Sequence, residues 1–189
     1  MKKNLSAALI LSAALLLSGC SGSYNFDDSE LSHAIGVERS VFDSLDIQPD
    51  DDGETGNALM EQAKAMGGAD SYTYCFPCSG SEDSFEIVEI FFYGGKASSV
   101  EVAVYGDEKS KYSVLGICVG EDKASALSKG ESYFGTSGEV FSEAYPDLYD
   151  LGDRTTDTVS FGGASDKKGT LTVKYDLKSD KVTNIEYSK

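Results

Sequence analysis

The sequence of 189 residues has no tryptophan, one histidine and three prolines, and its 16 Lys plus Arg are outnumbered by 32 Asp plus Glu. Each shortage removes a class of function. A net charge of −16 leaves no basic surface to attract nucleic acid or an anionic bilayer. One imidazole, His33, and four cysteines give little material for metal-ligand sets or nucleophile–base pairs. Ser32 beside His33 is no nucleophile, since no Gly-x-Ser-x-Gly elbow occurs, and His33 reads as a plain surface or core residue. Carboxylate pairs carry no signal, because 32 acids make chance pairs unavoidable. The run Asp50-Asp51-Asp52-Gly53-Glu54 hints at a calcium loop, but with Gly53 sixth the loop would begin at Gln48 and end at Leu59, so it reads as a solvated acidic loop. No metal, no cofactor and no catalytic residue are expected.

What is present begins at the N-terminus. Lys2 and Lys3 precede an apolar stretch from Leu5 to Leu17, too short to span a bilayer and of the form of a secretory signal. It ends in Leu17-Ser18-Gly19-Cys20, and here the segment resembles the bacterial lipoprotein family, whose lipobox is a Leu, two small residues and a Cys. The resemblance implies removal of residues 1–19, a diacylglyceryl thioether on Cys20 (a palmitate-type anchor) and a place on the extracytoplasmic face of the cell membrane. Two acyl chains matter, since one alone holds only marginally. Losing Lys2 and Lys3 leaves 14 bases against 32 acids, a mature charge of −18. Residues 20–30 are small, polar and acidic and read as a lipidated tether with a reach of roughly 18 Å.

Beyond the tether, Leu31–Arg39 and Leu115–Lys123 align at an offset of 84, with Gly36 on Gly120, and the hairpin-like stretches 88–102 and 171–185 lie 83 apart. Each glycine is expected to end an extended segment and start a helix. A second helix is expected over Asn57–Met66, where Leu59, Ala63 and Met66 share a face and Gly67-Gly68 stops it, with a shorter equivalent near Gly138–Ala144, cut off by Pro146. In this order of elements the chain resembles the tandem-repeat proteins typified by the beta-lactamase inhibitory protein, over residues 31–189. That resemblance implies an α+β fold of two tandem units, 31–112 and 113–189, each with two short helices packed on an antiparallel sheet. It implies a binding scaffold and carries over no inhibitory residue.

Gly94-Gly95 is a natural hairpin turn between Phe85–Tyr93 and Lys96–Tyr105. Pairing Tyr93 with Lys96 groups Phe85, Ile87 and Phe91 with Val100, Val102 and Val104, and leaves Val88, Ile90, Phe92, Ala103 and Tyr105 on the other face. That second apolar face is either covered by the other unit or a partner-binding patch of Val88, Ile90, Phe92 and Tyr105. In the second hairpin Leu171, Val173, Tyr175, Ile185 and Tyr187 alternate cleanly with polar residues.

Cys75-Phe76-Pro77-Cys78 has the spacing of thioredoxin-like oxidoreductases. An acidic turn-forming run follows it where a helix is needed, so a structural disulfide between Cys75 and Cys78 in an oxidising compartment is expected, leaving Cys118 over. The functional expectation is a lipid-anchored, non-enzymatic binding or envelope-interaction protein, its partners the membrane through Cys20 and an envelope or extracellular protein. A thiol–disulfide redox protein acting through Cys75 and Cys78 is the alternative. Replacing Cys20 (Cys20→Ala) should abolish labelling by radioactive fatty acid and release the protein from the membrane fraction. Label retained by that variant would refute the anchor.

Overall fold

Valine, isoleucine and aromatic residues are dense over 85–93 and 100–105 and alternate with polar residues over 171–175 and 185–187, which favours extended chain, and antiparallel strands follow. The computed structural model describes residues 23–47, 70–78, 84–106, 108–141, 156–163 and 165–189. A 3-10 turn, Leu31–Ala34, and a short helix α1, Arg39–Asp43, precede the strands β1 (Asp70–Pro77), β2 (Phe85–Tyr93) and β3 (Lys96–Tyr105). A small hairpin of β4 (Ser113–Val114) and β5 (Ile117–Cys118) leads to helix α2 (Lys123–Phe134). Four further strands follow: β6 (Glu139–Phe141), β7 (Thr156–Gly162), β8 (Thr170–Asp176) and β9 (Val182–Ser188). Seven strands form one antiparallel sheet in the order β1-β2-β3-β9-β8-β7-β6.

This corrects the expected fold class. Among the described residues there are two helices and one 3-10 turn rather than two helices per unit, and the two meanders join edge to edge through β3 and β9 into one sheet with one core. Part of the segment expected to be a short helix, Gly138–Ala144, is strand β6; Val140 there pairs with Val159, as a β-branched residue at a sheet edge can. The expected helix over Asn57–Met66 lies outside the described residues.

The backbone geometry after the two aligned glycines is nonetheless the same. The Gly36 and Gly120 amides donate to Ala97 O and Val182 O at 2.7 and 2.8 Å, and the Ala97 and Val182 amides donate to Val37 O and Glu121 O at 2.9 and 3.0 Å. The φ angles of Gly36 and Gly120, +84° and +87°, are open to glycine and strained for other residues. Two residues after each glycine, Glu38 pairs with Lys96 and Asp122 with Lys181. Each glycine thus hooks a chain segment onto the start of a strand and releases it into a helix.

The first hairpin carries a β-bulge. Tyr93 pairs with Lys96 and Phe92 with Ala97, but Phe91 pairs with Ser99, so Ser98 is the extra residue. Every pair beyond it is shifted by one, which exchanges the faces of β3 relative to the expected register. Val88, Ile90 and Phe92 therefore share the core face with Ala97, Val100 and Val102, while Phe85, Ile87 and Phe91 lie with Ser99, Glu101, Ala103 and Tyr105 on the other. Val88 and Ile90 are fully buried and Phe92 nearly so, and they cannot form an exposed patch. In the second hairpin the faces are those read from alternation: Leu171, Val173, Tyr175, Ile185 and Tyr187 are all core.

Residues 23–30 do not behave as tether. Tyr24 and Phe26 are buried in an aromatic cluster, Tyr24 with its ring centroid 5.2 Å from Phe42, Phe26 with its centroid 4.5 Å from Tyr74 and 5.1 Å from Phe76. Large rings gain more from burial than a solvated linker gains from freedom. Glu30 then locks the segment. Its carboxylate accepts from the Leu115 and Gly116 amides at 2.7 and 2.8 Å, from Ser113 Oγ at 2.8 Å and from the Ser32 hydroxyl and amide. Leu115 and Gly116 have φ of +53° and +74°, the hairpin turn geometry that aims successive N–H groups at one anion. Burial pushes the Glu30 carboxyl up, but the hydrogen bonds from Ser32, Gly116, Ser113 and Leu115 outweigh it and hold the group below the usual carboxylate range. A lowered acid pKa stabilises the fold above the unfolded-state value, and that contribution is lost as pH falls through the folded value. Glu30→Ala should cost about 2 kcal/mol near neutrality in a denaturant titration. The gap to the natural chain should close in strong acid; an equal gap at all pH values would contradict this role.

Candidate functional site on the open face of the sheet

All described helices and the β4–β5 hairpin pack toward the Val88–Val102 face, where Leu31, Phe42, Ala126 and Phe134 join the core. The opposite face is built from the residues in between, and the register sets its rows. One row crosses the strands as Thr73, Glu89, Glu101, Glu186, Thr172, Ser160 and Glu139. The next runs Phe91, Ser99, Ser188, Thr170 and Gly162.

Three glutamates therefore stand directly opposite one another on β2, β3 and β9. Neutral hydrogen bonds hold them: Ser71 Oγ donates to Glu89 at 2.8 Å, Asn184 Nδ2 to Glu101 at 2.6 Å and Ser99 Oγ to Glu186 at 3.4 Å. Burial, and then the Glu101 charge, push the Glu186 carboxyl above the usual carboxylate range, against the Ser99 bond.

Beside the glutamates lies a hydroxyl-lined groove. Two cavities of about 380 and 650 Å³ share Gly163, Asp166 and Thr170 in their walls. The first extends along Ser98, Ser99, Ser188 and Lys189 to Tyr93; the second reaches Thr136, Ser137, Glu139 and Ser160. The wall they share is the β7–β8 connection, which two glycines hold close to the sheet end: a Cβ on Gly162 would stand 2.2 Å from Gly169 O, and one on Gly169 2.1 Å from Ser188 O. Lys168 braces this loop from behind. Its Nζ donates to Tyr133 O at 2.6 Å and Phe134 O at 3.3 Å, the last carbonyls of α2, and its own carbonyl accepts from Tyr187 Oη at 2.7 Å. The groove is thus preformed on braced backbone.

The residues singled out from the sequence fall elsewhere. Cys20 and the Asp50–Glu54 run lie outside the described residues. Tyr105 is on the open face, its ring stacked on Phe85 at 5.0 Å, and so is parted from Val88, Ile90 and Phe92 in the core. No disulfide joins Cys75 to Cys78. In extended chain a spacing of three sends the side chains to opposite faces and separates the Cα atoms by about 10 Å, beyond the reach of a disulfide. Accordingly Cys75 is exposed and Cys78 is buried. Burial, then Glu86 and Glu108, push the Cys78 thiol up, opposite to the shift an attacking thiol needs. Cys118, on β5, is pushed up by burial and Glu121. Among the described residues no group of His, Cys, Asp and Glu is placed to hold a metal ion.

Two other charged groups have structural roles. Glu86, buried on the core face, accepts from Ser110 Oγ at 2.5 Å and the Lys111 amide at 3.2 Å and so pins the chain ahead of β4. His33 Nδ1 lies 2.6 Å from Asp28 Oδ2, and that hydrogen bond holds the imidazole pKa up, on an exposed surface where such a pair contributes little.

Sequence reasoning missed the groove residues Tyr93, Ser99, Thr170 and Ser188. The available signal was the alternation itself, which puts Thr170, Thr172 and Ser160 opposite the core residues Leu171 and Phe161; the path across strands depended on the β3–β9 register. No protein-family model, no curated protein and no solved structure matches this chain. Among the described residues no helix is long and apolar enough to cross a membrane.

The glutamate row makes a test of its own. An acid with a raised folded pKa destabilises the fold above that pKa and ceases to do so once protonated. Glu186→Gln keeps an acceptor for Ser99 and removes the charge opposite Glu101. It should therefore stabilise the protein at pH 7 by about 0.5–1 kcal/mol, with no gain at pH values where Glu186 is already protonated. Thermal melts across pH check both the sign and the window.

Proposed function

We propose that this chain is a lipid-anchored, extracytoplasmic binding protein that holds its ligand in the hydroxyl-lined groove of the open sheet face and does no chemistry on it. The observation that carries the reading is the groove: two confluent cavities of about 380 and 650 Å³, in the size range of ligand sites, on a braced sheet face. Its lining supplies hydroxyls, the carboxylates of Asp166 and Glu139 and the ammonium of Lys189, but no thiol or imidazole. Such a set recognises a ligand by hydrogen bonds and lacks the usual nucleophile–base pair.

The anchor part of the reading is supported by Leu17-Ser18-Gly19-Cys20 and by where the core begins. Tyr24 is a core residue, and only Ser21, Gly22 and Ser23 separate it from Cys20. Four residue steps span at most about 14 Å, so a lipid on Cys20 would hold the body close to the headgroups rather than at the end of a long tether.

One labelling experiment tests location and occupancy together. In a Cys75→Ser background, Ser165→Cys puts a thiol on the groove wall. A membrane-impermeant maleimide added to spheroplasts should label it in the membrane fraction, and an envelope extract should slow that labelling. A thiol reached only after lysis would refute the extracytoplasmic face, and one that no envelope fraction protects would refute the binding role.

A further inference from the structure

Resting on the binding role proposed above, we infer that the groove takes an uncharged oligosaccharide. The first ground is the chemistry of the lining. Eight serine and threonine residues line the two cavities, together with Asp166, Glu139 and three glycines. Closely spaced groups that both donate and accept suit a ligand that is itself a dense array of hydroxyls. A lipid or an aromatic metabolite would need an apolar lining, and Tyr93 is the one large apolar surface here.

Tyr93 is the second ground. Its side chain is 81% exposed at the end of β2, beside the Gly94-Gly95 turn. The other two exposed aromatic rings of this hairpin face, Phe85 and Tyr105, are stacked on each other. An open aromatic face next to hydroxyls offers the C–H face of a pyranose ring a stacking surface while the sugar hydroxyls bond to Ser98 and Thr170. The sheet order sets the length. The cavities run from β3 across β9, β8 and β7 to β6, four strand spacings or roughly 19 Å, which suits a chain of sugars better than a single one. Charge sets the kind of sugar. A mature chain of net −18, with Glu101 and Glu186 in the row beside the groove, repels polyanionic glycans and leaves uncharged ones.

The test uses the lipidated protein in nanodiscs and calorimetric titration with three uncharged tetrasaccharides: the β-1,4-linked N-acetylglucosamine tetramer, cellotetraose and maltotetraose. At least one should bind. Tyr93→Ala should weaken that binding about tenfold, Tyr93→Phe should preserve it, and both variants should keep the natural melting temperature because the ring is exposed. Thr170→Val should weaken it several-fold. Failure of all three sugars to bind at millimolar concentration, or binding indifferent to Tyr93→Ala, overturns the inference. An octalysine peptide that protects Ser165→Cys where the sugars do not would overturn the saccharide class in favour of a cationic segment and leave the binding role standing. Protection by neither, together with none from envelope extract, would overturn both.

Discussion

Five residue pairs, from Ser99–Ser188 to Ala103–Asn184, join β3 to β9, and what is distinctive in the molecule passes through that joint. On one side of the sheet it sets Val100 and Val102 against Tyr187 and Ile185 and so fuses two meanders into one core. On the other it sets Glu101 against Glu186 and Ser99 against Ser188. The carboxylate repulsion and the groove are two results of one register. A slip of one residue would bury the glutamates and expose the valines, so the apolar face holds the register even though the polar face resists it.

The N-terminal segment is the second constraint. A carboxylate held by successive turn amides, with two aromatic residues ahead of it in the core, converts residues 24–30 from a linker into part of the body. Under the proposed anchoring this has a mechanical consequence. A lipid on Cys20 would be separated from Tyr24 by three residues, so the aromatic end of the core would stay within about 14 Å of it.

Some of this was legible beforehand. The clean alternation of Leu171–Tyr175 and Ile185–Tyr187 gave their faces, and the glycines at 36 and 120 announced two equivalent turns whose hydrogen bonds match to within about 0.1 Å. Other parts were not. Ser98 looks like any strand serine, yet as the bulge residue it donates to Phe91 O at 3.3 Å and accepts from the Lys189 amide at 2.9 Å, a partner 91 positions away. The composition of residues 21–30 resembled a solvated linker, because two aromatic residues among acids show no periodicity. The Cys75–Cys78 spacing and the turn-forming run after it suggested a bridge at a strand end, but the chain is extended through Pro77 and the pleat parts the two thiols.

The sequence by itself determined the charge, the lipobox-like start, the strand-forming alternation and the positions where only glycine turns the chain, since each depends on residues close together in the chain. The tertiary structure alone decided the face of each residue in the first hairpin, the burial of Tyr24 and Phe26, and the row that places Ser99, Ser188 and Thr170 side by side. Those outcomes depend on which strand edges meet and in what register. That choice is made by apolar area summed over the whole sheet, and no short segment carries it.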